Sequence, residues 1–382
     1  MRYSLLFLCL ILVLSACKVT QKAYERGDYE TAVFNSIERL RRSPENKKAS
    51  QTLAEAYPAM QTYLQEQIEQ LKLSNNPLRW EAVARNYETL NRAYDEIQRS
   101  PAARRIIRSP QQYQREYGEA TRLAAESRYA LGIQGLQRAQ AGDRNSAKDA
   151  YEHFRRALEW RPGFRDAEDR SLEALDLATI YIEVEPIPMH SRALALSNEF
   201  FENQLFEYMA SSPISPFVRF VSAADTRTLR RDPDHILRMG FDDFVVGQAY
   251  VKETVMQRRR DSVVVGTVKI SEDSTVNVYG TVEAEMHQFM KQISSSGLLD
   301  LRIIDGRTGT ILAQRKFPGT FVWTDRWGFY QGDKRALDPE DEDFVRKRSE
   351  SPNPPPQVLF VEFTKPIFSQ VTAFVSDYYR GM

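Results

Sequence analysis

Apolar residues along this chain keep two different rhythms, and the change falls near Thr179. Before it they recur at spacings of three and four, in sequence rich in Ala, Leu, Glu, Arg and Gln, which predicts a series of amphipathic helices. After it β-branched and aromatic residues take over. Ile180-Tyr181-Ile182-Glu183-Val184 alternates with period two and stops at Pro186 and Pro188, as a strand would. Ser191 then caps a predicted helix with Leu194, Phe201, Leu205 and Tyr208 on one face and Phe200 beside them. Residues 217–221 read as a second short strand, 234–238 as a short helix, and the sequence beyond Gly240 as long β-stretches. A hairpin turn is expected at Asp305-Gly306-Arg307-Thr308-Gly309, where Asp305 and Thr308 can cap and Gly309 can take positive φ. A last amphipathic helix carries Val358, Val361, Ile367, Val371, Phe374 and Tyr378. The expected fold class is α+β and multidomain. A helical domain spans 17–178, and an α/β sandwich domain with long antiparallel strands spans 179–382, with an aromatic-rich insertion at 317–356.

The first residues bear on destination. Arg2 precedes an almost unbroken apolar run over 5–14, about half the roughly 20 residues that a membrane-spanning helix needs. Leu14-Ser15-Ala16-Cys17 follows, and it resembles the lipobox of bacterial lipoproteins. That resemblance implies a signal peptide over 1–16, cleavage before Cys17, and acyl chains on Cys17 that hold an exported protein at a bilayer. Each buried methylene contributes about 0.8 kcal/mol to such an anchor. Lys18, rather than an aspartate, follows Cys17, which by the same resemblance implies an outer-membrane lipoprotein facing the periplasm. The other cysteine, Cys9, lies in the leader, so no disulfide, thiol nucleophile or thiolate metal site is expected. No later stretch is expected to reach transmembrane length.

Ala23-Tyr24-Glu25-Arg26-Gly27-Asp28-Tyr29-Glu30-Thr31-Ala32 looks like the turn of a tetratricopeptide repeat, with Pro44 where that repeat ends its second helix. Ala141-Gly142-Asp143-Arg144-Asn145-Ser146-Ala147, followed by Ala150, Phe154, Ala157 and Pro162, resembles a second copy. A degenerate third spans 80–101 through Tyr87, Leu90, Tyr94 and Ile97. The resemblance implies a tetratricopeptide-like solenoid whose concave face holds a protein segment. Tyr24, Tyr29, Tyr57, Tyr63, Tyr87 and Tyr94 could line that face, although aromatics at helical spacing are more often core residues.

From 179 to 313 the order of elements resembles the periplasmic α/β domain of the curli-secretion and penicillin-binding-protein-activator lipoproteins. Three pieces carry the likeness: Leu194-Ala195-Leu196-Ser197-Asn198; Leu237-Arg238-Met239-Gly240-Phe241-Asp242-Asp243-Phe244-Val245-Val246-Gly247; and Leu301-Arg302-Ile303-Ile304-Asp305-Gly306-Arg307-Thr308-Gly309-Thr310-Ile311-Leu312. It implies binding or assembly at the cell envelope rather than catalysis, and residues 317–356 depart from it.

Chemistry is sparse. The 52 basic and 52 acidic side chains cancel, and neither half is basic enough to suggest nucleic acid, whose phosphates demand a concentrated positive face. His153, His190, His235 and His287 do not sit at metal-ligand spacing, no phosphate-cradling glycine loop or nucleophile elbow occurs, and no cofactor is expected. Asp242 and Asp243 are neighbours on a strand entry and point to opposite sides. The acidic run 338–343 reads as a solvated loop. Gln257-Arg258-Arg259-Arg260-Asp261 reads as a charged hairpin end that could touch anionic headgroups. Trp323, Arg326, Trp327 and Tyr330 either form an interaction surface or pack over the domain's own core.

These readings point to a non-enzymatic envelope adaptor, joined to the membrane through Cys17 and to an envelope or periplasmic protein through its repeats. The runner-up is an oligomeric secretion-pore subunit of the curli-secretion type. That would need about ten outward apolar residues alternating along two neighbouring hairpins. Val263, Val265 and Thr267 alternate with Val264, Gly266 and Val268, so both faces read as apolar, and Glu272, Asp273, Glu283 and Glu285 interrupt the pattern.

Overall fold

Asp28 opens the first helix of the computed structural model, which describes residues 26–189, 191–211, 214–229, 232–271 and 274–382. Its carboxylate accepts the Thr31 N–H at 3.1 Å, and Gly27 before it holds φ +81°. The helices that follow are α1 (Tyr29–Arg42), α2 (Lys47–Leu73), α3 (Arg79–Gln98), α4 (Pro101–Ile106), α5 (Gln114–Gln140), α6 (Arg144–Trp160) and α7 (Ala167–Ala178). Asp143 repeats the opening device for α6, accepting the Asn145 and Ser146 N–H groups after Gly142 at φ +101°. α1 packs on α2, α2 on α3, α3 on α5, α5 on α6 and α6 on α7. Ile37, Leu40, Leu53, Met60, Ile68, Leu90 and Ile97 fill one core, and Leu136, Phe154 and Ala174 a smaller one. Small residues set the α5–α6 distance: a Cβ on Gly132 would meet the Phe154 ring at 2.7 Å.

Contacts divide the chain into a unit ending at Ala178 and another beginning at Thr179. With both helices and an open mixed sheet, the class is α+β. In the second unit the strand order is β2-β1-β3-β4-β5. β1 (Ile180–Val184) runs parallel to β2 (Val218–Ser222) and to the start of β3 (His235–Ser271). β3, β4 (Ser274–Asp305) and β5 (Ile311–Gly332) are antiparallel. The turn between β4 and β5 forms as its side chains dictate: Asp305 Oδ1 accepts the Thr308 N–H at 2.7 Å, and Gly309 has φ +73°. Residues 234–238 are not a helix. His235 to Leu237 instead pair with Ile182 to Val184, because β1 offers a strand partner that local propensity does not reveal.

Helices α8 (Ala195–Ser211), α9 (Ala223–Leu229), α10 (Pro339–Arg346) and α11 (Pro356–Tyr379) complete this unit. α11 is long and apolar enough to cross a membrane by length and composition, contrary to the sequence expectation. Its Phe360, Phe363, Ile367, Val371, Val375 and Tyr379 are instead fully buried in the core with Leu299, Leu301, Ile303 and Phe317. Val358, expected on the buried face, is exposed. Gly297 and Gly319 face each other across β4 and β5, and a Cβ on Gly319 would lie 2.2 Å from the Phe363 carbonyl oxygen. That glycine pair lets the helix sit directly on the strand backbone.

Candidate interaction surface

β5 stops at Gly332, opposite Ala284, while β3 and β4 stay paired as far as Ser271 and Ser274. From the Val263–Gly280 pair onward they form a two-stranded arm of nine β3 residues, roughly 30 Å at about 3.3 Å per residue. Directly opposed residues share a face, so the register sorts the side chains. Val264 opposes Tyr279, Thr267 opposes Asn277 and Lys269 opposes Thr275; these make the mixed, mostly polar face. Val268 opposes Val276 and Gly266 opposes Val278 on the other face. Val265 is an extra residue in a β-bulge, and its methyls come within 3.0 Å of where a Gly280 Cβ would stand, on that same second face. The bulge therefore gathers Val263, Val265, Val268, Val276 and Val278 on one side. Val265, Val268 and Val276 are about half exposed, and no core covers them.

A free two-stranded ribbon is marginal in water, and this one is braced at its root. Residues 333–346 form a bracket there. Arg258 grips the fully buried Asp341 through two hydrogen bonds of 2.6 and 2.9 Å, and Gln288 reaches the same carboxylate at 2.7 Å. The Arg258 guanidinium holds Asp341 below the ordinary carboxylate range, against the effect of burial. Arg260 donates to the Leu337 carbonyl at 2.7 Å and Arg335 to the Val264 carbonyl at 2.5 Å. Ala336 and Leu337 are buried against Val282, Ala284 and Met286. Two expectations change here. Residues 257–261 are not a hairpin end but lie within β3, at the root of the arm, and 338–343 is not a solvated loop but an N-capped helix whose Asp341 is buried. On the arm's flank His287 bridges Glu253 (2.9 Å) and Glu285 (3.0 Å) and stacks on Phe329 at 4.5 Å. Glu253 and then Glu285 raise its pKa above 6.5, outweighing partial desolvation.

The aromatic segment is divided between two faces of β5. Trp327 is buried and stacks on Phe289 with centroids 5.3 Å apart, and the half-buried Trp323 shares its face. Arg326 is exposed on the opposite face, where Tyr330 packs toward Ala336, Leu337 and Phe344. Residues 347–355 lie over the first face. Lys291 there contacts Glu350 and Asn353, while Asp325 contacts Lys347 and accepts the Ser351 N–H at 2.7 Å.

In the helical unit, Lys72, Trp80, Tyr87, Arg115 and Leu123 line an open groove of about 590 Å³ between α2, α3 and α5. Tyr57 and Tyr87 are core residues, Tyr94 is half-buried, and Tyr63 is exposed with its ring edge against Tyr29 at 5.9 Å. His153 lies 3.1 Å from an Arg128 nitrogen, and burial followed by that guanidinium lowers its pKa. His235 meets the Tyr379 hydroxyl at 3.1 Å. Asp242 pairs with Lys316 at 2.5 Å. Among the described residues no cluster of three metal-ligating side chains occurs. Cys17, Tyr24 and His190 lie outside the described residues.

No family model matches the chain, and no curated protein matches it. Among solved structures, a homolog of the neuraminyllactose-binding hemagglutinin from Helicobacter pylori aligns with 53% of this chain and 91% of its own, at 9% identity and a TM-score of 0.27. A likeness that slight carries no argument here.

Proposed function

We propose that this chain is a lipid-anchored, non-enzymatic envelope adaptor, tethered through Cys17, with a tetratricopeptide-like helical unit that holds a protein segment and a sheet unit that presents the arm. The valine face of the arm carries this reading, because beyond Val263 its Val265, Val268, Val276 and Val278 form an exposed apolar surface that stands ready for a partner. The groove beside Trp80 and Tyr87 offers a second grip, with Lys72 and Arg115 at its rim. A photo-crosslinker placed at Val276 in living cells should capture one discrete partner, and Thr at Val265, Val268, Val276 and Val278 should abolish a partner's co-purification. An unchanged partner set in the Thr variant would sink the adaptor reading.

The second reading, a secretion-pore subunit, gains from one observation. The one-sided valine face and the length of the arm approach the roughly 9–11 residues of a strand that crosses a bilayer. Each chain would contribute one hairpin, and its open edges would have to be closed by further copies. Crosslinks only between identical chains, with a large ring in detergent, would favour the pore. Heterologous crosslinks from a monomer would favour the adaptor.

A further inference from the structure

A cleft of about 530 Å³ opens between the end of β5, α10 and the residues that follow it. Its lining combines three cations, Lys334, Arg346 and Arg348, with Phe329, Tyr330 and a single carboxylate, Glu342. Arg346 shares an exposed contact of 3.3 Å with Asp343, while Lys334 and Arg348 have no carboxylate partner among the described residues. Three cations against Glu342 leave the lining positive by two charges, and by one when Asp343 beside Arg346 is counted, in a chain of zero net charge.

Backbone geometry adds a donor. The Gly328 N–H points away from β4 and donates to the Lys347 carbonyl at 3.1 Å. Strand alternation turns the Tyr330 N–H to the same outer side, at the cleft wall. The apolar wall is preorganised as well: one face of the Phe329 ring is stacked on His287 at 4.5 Å and 12°, and His287 is itself held between Glu253 and Glu285.

We infer that this cleft binds a phosphorylated sugar. The cations and the outward N–H suit a phosphate monoester, Phe329 offers a surface for the C–H face of a pyranose ring, and Glu342 can accept from its hydroxyls. The volume lies within the roughly 300–1,000 Å³ of small-molecule sites, enough for a single phosphorylated ring. Such a group could reach the cleft as a free sugar phosphate or as the headgroup of a phosphorylated glycolipid. This assignment concerns a different face from the valine arm and stands without the adaptor reading.

The test uses the processed chain, beginning at position 17 with Cys17→Ser, so that neither the apolar leader nor an acyl anchor contributes. Calorimetry should show glucose 1-phosphate binding at least about tenfold more tightly than glucose or inorganic phosphate, a difference of about 1.4 kcal/mol. The double variant Lys334→Ala/Arg348→Ala should lose that preference while melting as the parent does, since both side chains are exposed. Arg326→Ala, outside the cleft lining, should bind as the parent. Flotation with phosphatidylcholine vesicles, plain or doped with a phosphorylated glycolipid, separates the sources. Doped-only flotation displaced by glucose 1-phosphate assigns the headgroup; binding of the free sugar phosphate without flotation assigns the soluble ligand. Equal binding of glucose and glucose 1-phosphate, or full affinity in the double variant, would overturn the inference.

Discussion

The same two strands are core at one end and bare at the other. At Leu299 and Leu301 the β3–β4 pair lies under α11 and is fully buried, whereas at Val268 and Val276 it is about half exposed. Both stretches are rich in aliphatic side chains and both keep the antiparallel ladder. What differs is the third layer: a helix covers the root, and no element of the described chain covers the tip. Burial here follows from what is packed against a strand, not from its composition.

Substitutions along the hairpin should separate the two ends. The largest effect is expected at the root, where Phe363→Ala would empty the notch between Gly297 and Gly319 and lower stability by about 3–5 kcal/mol in a chemical melt. At the bracket, Asp341→Ala should cost about 2–3 kcal/mol by removing the buried two-bond pair and leaving Arg258 only its longer 3.5 Å carboxylate contact with Asp338, and should speed hydrogen exchange around Arg258. Because the folded pKa of Asp341 is depressed, its contribution is present above the unfolded value near 3.9 and is lost as pH falls through the lower folded value. The bracket should therefore hold at pH 5 and fail only in stronger acid. His287 has the opposite sign. Its raised pKa means that its contribution is full below pH 6.5 and declines as pH rises through the folded value, which an NMR titration of the imidazole should place above 6.5. The smallest change in melting belongs to the tip, where Thr at Val268, Val276 and Val278 should shift stability by no more than about 0.5 kcal/mol. A large loss there would mean that the valines already have a core, and the contrast between root and tip would fail.

Local features were legible in the sequence. The Asp28, Asp143 and Asp305 turns form because each carboxylate reaches amides two or three residues away. The period-two run at Ile180 to Val184 is a strand in the structure. Non-local features were not legible. Asp341 reads as part of a solvated acidic run because its partner, Arg258, lies 83 residues earlier. The arm's faces were misread for a different reason. Counting alternation from Val263 to Val268 assumes one residue per ladder step, and the bulge at Val265 breaks that count, bringing valines of both parities to one side. In the aromatic segment, spacing alone could not reveal that Trp327 stacks inward on Phe289 while Arg326 faces away.

Past Leu237, β3 is paired with β4 on one side only, so a long row of amides on its other edge faces outward. The same strand takes all five register shifts of the hairpin, with extra residues at Asp242, Gly247, Ser262, Val265 and Ile270. A straight foreign strand could keep step with it only along 248–260, where Lys252, Glu253, Arg258 and Arg259 impose a charge pattern. Molecules crowded side by side are thereby guarded against fibre growth, and this fold can keep an open border at high local density without templating aggregates.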